Sequence, residues 1–352
     1  MRGARGNPDG LLCLREDGTL VEQAFDTKRL QLSGESRFVA KGLTAHRGGT
    51  RLINAAAAPG TIIYGTEGTD QFQLTWITRE RNRAESVGET GRYTGLRISP
   101  DGRHVAVLQD NAVWQMDLAR GVLSKMADGD FGPVWSAEGN RIVYTVGAPP
   151  NLSIRDVQAM TPARRLFPSE QSQLPTDWSS DGRWLLFTAT SNNPNSRTRS
   201  DLWTLAMGSD EGASAFTTTP SRETNGQFSP DGKWIAYTAD ESGRDEIVVQ
   251  SFSHSARKWQ VSSKRGNYVR WRKDGKELLY LTPDNKLMAV AVQSSGKELE
   301  FGTPRALFDL PNHLRLTGYV YDVSPDGQRF LVLTPVGSDI PTLSVITNWS
   351  LR

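Results

Sequence analysis

Cysteine occurs once in 352 residues, at Cys13, which excludes an intrachain disulfide and argues against a cysteine-based metal site. Its neighbours Leu11, Leu12 and Leu14 place it in a strand, as a buried and inert thiol. The four histidines, His46, His104, His254 and His313, show no His-Glu-x-x-His spacing, so they give a zinc site no support. Long apolar runs are missing: none approaches the roughly 18 residues that a membrane-spanning helix needs. Arg2 and Arg5 are followed by no hydrophobic segment and no small-residue cleavage site, so no signal peptide is expected. Neither sign of charge prevails, with 41 Lys and Arg against 39 Asp and Glu, and nothing here demands a polyanionic partner. A sustained 3.6-residue apolar period is absent as well, which leaves almost no room for helices.

What the chain does contain is a repeated turn. Gln227-Phe228-Ser229-Pro230-Asp231-Gly232-Lys233-Trp234 reads as the core of a β-hairpin. Pro230 presets φ, Asp231 accepts a hydrogen bond from a downstream N–H, and Gly232 supplies the positive φ that the turn requires. The pattern returns around Asp101-Gly102, Glu138-Gly139, Asp181-Gly182, Asp274-Gly275 and Asp326-Gly327, with weaker copies at Asp9-Gly10 and Pro59-Gly60. A spacing of 37 to 52 residues between these glycines, with strand signals in every unit, is the mark of propeller blades.

Each unit divides into four short strands, so the expected fold is all-β: a β-propeller of four-stranded antiparallel blades. Eight markers predict eight blades, or seven if the first unit only donates closing strands. A single propeller domain over 1–352 is expected, its first blade at about 1–50 and its last at about 312–352, the last drawing a strand from 342–349. The aromatic residues ahead of the turns, Trp135, Trp178, Phe228 and Trp271, could be a stacking platform for a ligand. Recurrence at one place in every blade favours rings that fill the gaps between blades. The turn carboxylates Asp101, Asp181, Asp231, Asp274 and Asp326 are read as acceptors within their own turns rather than as metal ligands.

The Ser-Pro-Asp-Gly-Lys/Arg-aromatic units resemble the WD40-like repeats of TolB and its relatives. Segments 11–26 (LLCLREDGTLVEQAFD), 228–252 and 269–292 (VRWRKDGKELLYLTPDNKLMAVAV) are similar to one subgroup in particular. In that subgroup such propellers form the C-terminal, sensory region of bacterial eukaryotic-type serine/threonine protein kinases. The resemblance implies a sensing role in signalling, as part of such a kinase or as a fragment of one. The location would be cytoplasmic for the chain as it stands, and extracytoplasmic for a piece of a membrane-anchored receptor kinase.

Motifs for catalysis are weak. Asp130-Phe131-Gly132 spells the magnesium-binding tripeptide of kinases, but no His-Arg-Asp loop, Gly-rich nucleotide loop or paired strand lysine accompanies it. No Gly-x-Ser-x-Gly elbow is present either. Basic clusters at Arg79-Glu80-Arg81-Asn82-Arg83, Arg164-Arg165 and Arg270-Trp271-Arg272-Lys273 read as solvated turns and blade edges rather than a nucleic-acid surface. The expectation is a monomeric, non-catalytic binding or sensing module with no cofactor, no metal and no nucleic acid. Its partner would be a protein or peptide, met by the polar loop 190–200 through Asn195, Arg197 and Arg199. The alternatives are an enzyme with its site in the central channel, or the accessory propeller of a prolyl-oligopeptidase-like peptidase.

Overall fold

The computed structural model describes residues 9–15, 19–26, 28–41, 55–58, 61–66, 71–80, 84–158, 162–193, 200–209, 212–253, 257–295, 298–311, 318–336 and 342–347. All regular structure among them is β. The chain divides into two compact units, Gln71–Pro335 and Met1–Asp70 with Val336–Arg352.

Gln71–Pro335 contains six sheets, each built from the hairpin that the repeat encodes. Blade I is Tyr93–Ile98, His104–Gln109, Ala112–Asp117 and Leu123–Asp128. Blade II begins with Phe131–Trp135 and Arg141–Val146, blade III with Ser172–Trp178 and Trp184–Thr190. Blade IV begins with Glu223–Phe228 and Trp234–Ala239, blade V with Asn267–Trp271 and Glu277–Leu281. Blade VI closes the ring: Tyr321–Val323 and Arg329–Pro335 are completed by Phe72–Thr78 and Ala84–Gly91 from the other end of the unit. Antiparallel pairing of Arg329–Pro335 with Phe72–Thr78 therefore fastens the first strands of the unit to its last.

From blade VI through blade I to blade V the first strands of neighbouring blades lie against one another, which makes them the inner wall of the ring, and between blades V and VI the Tyr321 hydroxyl reaches the Tyr268 carbonyl. Second strands are covered on both faces by adjacent blades, so they read as continuous apolar runs: every residue of Trp234–Ala239 and Glu277–Leu281 is buried. The aromatic residues fill the seams between blades. Trp135 packs on Ala106, Leu108 and Val113 of blade I, and Trp178 on Val134, Val143 and Leu152 of blade II. Phe228 packs on Leu186 and Leu202 of blade III, and Trp271 on Trp234, Ala236 and Ile247 of blade IV. These four rings are buried and offer no exposed stacking platform.

Eight sheets occur among the described residues, and they are of two kinds. The six strong markers Gly102, Gly139, Gly182, Gly232, Gly275 and Gly327 all have φ near +70° and belong to the six blades of Gln71–Pro335. The other unit holds two three-stranded sheets. One is Asp9–Leu14, Leu20–Asp26 and Gln31–Ala40; the second is Thr342–Thr347, Thr61–Thr66 and Ala55–Ala58. Leu20, Val39, Ala40 and Ile62 form the buried centre of this unit. Three expectations are corrected here. Gly10 lies inside a strand, opposite Ala24, rather than in a turn. Thr342–Thr347 pairs with Thr61–Thr66, not with blade VI, whose third place Phe72–Thr78 already fills. Cys13 sits in its strand but is only partly buried.

Candidate binding site in the central channel

Counting back from each turn glycine locates the channel wall. In a strand, successive side chains face opposite sides, so if the residue four before the glycine enters the seam, the one five before it faces the axis. Those axial positions hold Arg97, Val134, Asp177, Gln227, Arg270 and Asp322 in blades I to VI, although the apolar Val134 is drawn into the seam with Trp178. Pairing slips just ahead of this position in blades I to V, each inner strand carrying a bulge. Gly132, Asn225 and Tyr268 take positive φ at the bulge. For a residue as large as Tyr268 that conformation is strained, and bulges of this kind re-aim the side chains that follow.

The acceptors in this ring tie blades together. Asp177 Oδ2 accepts from the Phe228 N–H at 2.9 Å, Gln227 Oε1 from the Trp271 N–H at 3.2 Å, and Asp322 Oδ2 from the Ile98 N–H at 2.9 Å. In each case an axial side chain holds the inner strand of another blade. Charges then pair across the axis. Arg97 Nη2 donates to Asp177 Oδ1 at 2.6 Å, and Arg97 Nε lies 4.0 Å from Asp322 Oδ2. Arg270 Nε lies 3.2 Å from Asp322 Oδ1, but its N–H is not directed at that oxygen. The Arg270 guanidinium instead stacks on Tyr319, 3.5 Å from the ring centre. Asp322 Oδ1 accepts from the Val323 N–H, and Tyr321 donates to the Tyr268 carbonyl at 2.7 Å.

Burial sets the electrostatics. It works against the charge on Arg97, but Asp322 and Asp177 outweigh it and hold this guanidinium more firmly charged than usual. Arg270 is pushed the other way, by burial first and then by Arg97 beside it. Burial raises Asp177 above the ordinary carboxylate range even though Arg97 opposes it. Tyr319, desolvated in the same place, is pushed up to about 12.

The turn face is structural by comparison. Asp101 Oδ1 accepts from Ser99 Oγ at 2.6 Å and from the Arg103 N–H at 3.0 Å. Asp181, Asp231 and Asp326 repeat the arrangement with Ser179, Ser229 and Ser324. Asp274 is held by both edges of Arg272 and by the Lys276 N–H, and the Arg272 hydrogen bonds lower it to about 2. Neighbouring turns approach one another: a Cβ on Gly102 would stand 3.0 Å from Pro325, one on Gly139 3.6 Å from Pro100, and one on Gly275 3.9 Å from Pro230. Lys273 reaches from blade V to the Pro100 carbonyl of blade I, 3.3 Å away, across this end of the channel.

The basic run Arg270-Trp271-Arg272-Lys273 is thus consumed internally, by the channel, a seam, Asp274 with Glu277, and Pro100. Arg79 likewise grips Glu277 through two hydrogen bonds, of 3.1 and 2.7 Å. In the kinase-like tripeptide, Asp130 accepts from the Gly147 N–H and Phe131-Gly132 opens an inner strand. His104 begins the second strand of blade I; His46, His254 and His313 lie outside the described residues, as do Asn195, Arg197 and Arg199. Among the described residues no three His, Cys, Asp or Glu side chains are placed to hold a metal ion, and no helix is long and apolar enough to cross a membrane. The axial ring has no motif of its own in the sequence, although a fixed offset from the marker glycines would have revealed it.

No protein-family model and no curated protein sequence matches the chain. Solved structures do. A protein assigned as TolB from Agrobacterium tumefaciens superposes with a TM-score of 0.61 at 15% identity, covering 76% of this chain and 99% of its own. Hydrazine synthase of Kuenenia stuttgartiensis gives a TM-score of 0.55 at 16% identity, over 86% and 99%. An oligogalacturonate lyase in complex with manganese gives 0.54 at 14%, over 82% and 86%. At these identities the likeness is one of fold, and the fold is a TolB-like β-propeller.

Proposed function

We propose that this chain is a non-catalytic binding or sensing module whose working surface is the channel and the face opposite the Asp-Gly turns. One observation carries the reading. Both axial carboxylates are already engaged: Asp177 by Arg97 and the Phe228 N–H, Asp322 by the Ile98 and Val323 N–H groups. A carboxylate held this way is a poor general base, because its lone pairs are occupied and its geometry is fixed. The propeller enzymes among the similar structures keep the catalytic alternative in view, and the sequence resemblance to kinase-associated propellers supports a sensory role in signalling.

The test is an activity screen on the purified chain. We expect no phosphotransfer from ATP with magnesium and no cleavage of oligogalacturonate with manganese. Phosphotransfer that co-purifies with the chain and vanishes in Asp130→Ala would overturn the proposal, as would manganese-dependent lyase turnover lost in Asp177→Asn.

A further inference from the structure

Arg270 breaks the pattern of the axial ring. At the same position Asp177, Gln227 and Asp322 each offer an acceptor to another blade's inner strand. A guanidinium has five N–H donors and no acceptor, so Arg270 cannot make that link. Its side chain is 2% exposed, yet Nε, Nη1 and Nη2 all lack a hydrogen-bond acceptor among the described residues. Arg97 Nη1 and the Tyr319 hydroxyl are buried without a partner in the same cluster. A charge buried with its donors unmet is expensive, and native proteins satisfy such groups or replace them.

What would satisfy these groups follows from their polarity. No oxygen of Asp177 or Asp322 is among the buried atoms left unpartnered, so the unmet groups are donors, with only the Tyr319 hydroxyl able to act either way. Water would bring two donors of its own into a place with few acceptors to receive them. A ligand that only accepts suits the site better. The guanidinium fork matches a planar carboxylate in two parallel hydrogen bonds, and the Tyr319 ring holds the fork in place. The four charges Arg97, Arg270, Asp177 and Asp322 sum to zero, which favours a monoanion over a doubly charged phosphate.

We propose that Arg270, with Arg97 Nη1 and the Tyr319 hydroxyl, forms a carboxylate-binding site on the propeller axis, taking a small organic acid or the terminal carboxylate of a peptide. This rests on the binding-module reading but is tested independently of it, since the activity screen involves no carboxylate titration.

The probes are formate, acetate, triglycine and triglycine amide, titrated calorimetrically at constant ionic strength in chloride, with inorganic phosphate as the dianion control. Saturable binding of formate or acetate marks a small-acid site. Binding of triglycine at least about tenfold tighter than its amide marks a peptide terminus. Arg270→Met should abolish either response while keeping the melting temperature of the unliganded protein at or above that of wild type, since an ill-paired buried charge is replaced by an apolar side chain. Arg270→Lys, which keeps the charge without the fork, should weaken binding at least about tenfold. Three results would overturn the site: no saturable response to any carboxylate, a response unchanged in Arg270→Met and Arg270→Lys, or a crystal structure in formate with only water at Arg270.

Discussion

Trp178 and Trp271 occupy equivalent seams but differ in their polar contacts, which makes them an informative pair. Both rings are buried, at 5% and 7% exposure. Trp178 Nε1 donates to the Gly182 carbonyl at 3.0 Å, and Arg141 lies over its ring at 5.1 Å. Trp271 Nε1 is buried with no acceptor among the described residues. Replacing either by Ala should cost about 3–5 kcal/mol through the cavity left behind, so that change does not separate them. Replacement by Phe does. At Trp178 the loss of the hydrogen bond adds about 0.5–1.5 kcal/mol to the smaller cavity, whereas at Trp271 removing an unmet N–H returns about 1–3 kcal/mol. Trp178→Phe should therefore be the less stable variant by about 2 kcal/mol or more, a melting difference of roughly 4–8 °C for a unit of this size. Differential scanning calorimetry of the two variants decides it. Equal melting temperatures, or a lower one for Trp271→Phe, would refute the assignment of seam energetics to these contacts.

Two further outcomes follow from backbone and burial. A Cβ at Gly232 would meet nothing within 4 Å, so Gly232→Val carries only the strain of φ +69°, about 1–3 kcal/mol. In Gly327→Val the new Cβ would stand 2.5 Å from Arg272 Cδ, a side chain tied to Asp274 and Glu277, and the melting temperature should fall further. Equal melting temperatures for the two variants would show that Arg272 yields freely. Glu223 is fully buried beside Thr219 and Thr217, and burial raises its carboxyl from 4.5 to about 7, with Asp201 and Glu241 adding to the rise and Lys258 opposing it. The folded state thus holds this proton more tightly than the unfolded chain, so wild type loses stability as pH rises from about 4.5 to about 7. Glu223→Gln should flatten that decline and gain about 2–4 kcal/mol at pH 8, since each tenfold change in proton affinity is about 1.4 kcal/mol. Parallel pH–stability curves for the two proteins would show that Glu223 does not titrate there.

Local chemistry was legible at the six strong turns, though not at Gly10, which lies inside a strand. A turn such as Ser229-Pro230-Asp231-Gly232 dictates its own geometry, because the donors and acceptors that close it lie within five residues of one another. Repetition of that turn established an all-β protein of four-stranded units, and the residue four before the glycine, aromatic at Trp135, Trp178, Phe228 and Trp271, identified the seam. Long-range pairing decided the rest. Which strand completes blade VI depends on Phe72–Thr78 meeting Arg329–Pro335 across more than half the chain, and Thr342–Thr347 carries a pattern that fits either partner. The axial ring needed closure before it had meaning. Arg97, Asp177, Arg270 and Asp322 are ordinary polar residues of separate strands, up to 225 positions apart in numbering. Only the circular arrangement of blades brings them onto one axis, removes them from water, and leaves Arg270 without an acceptor.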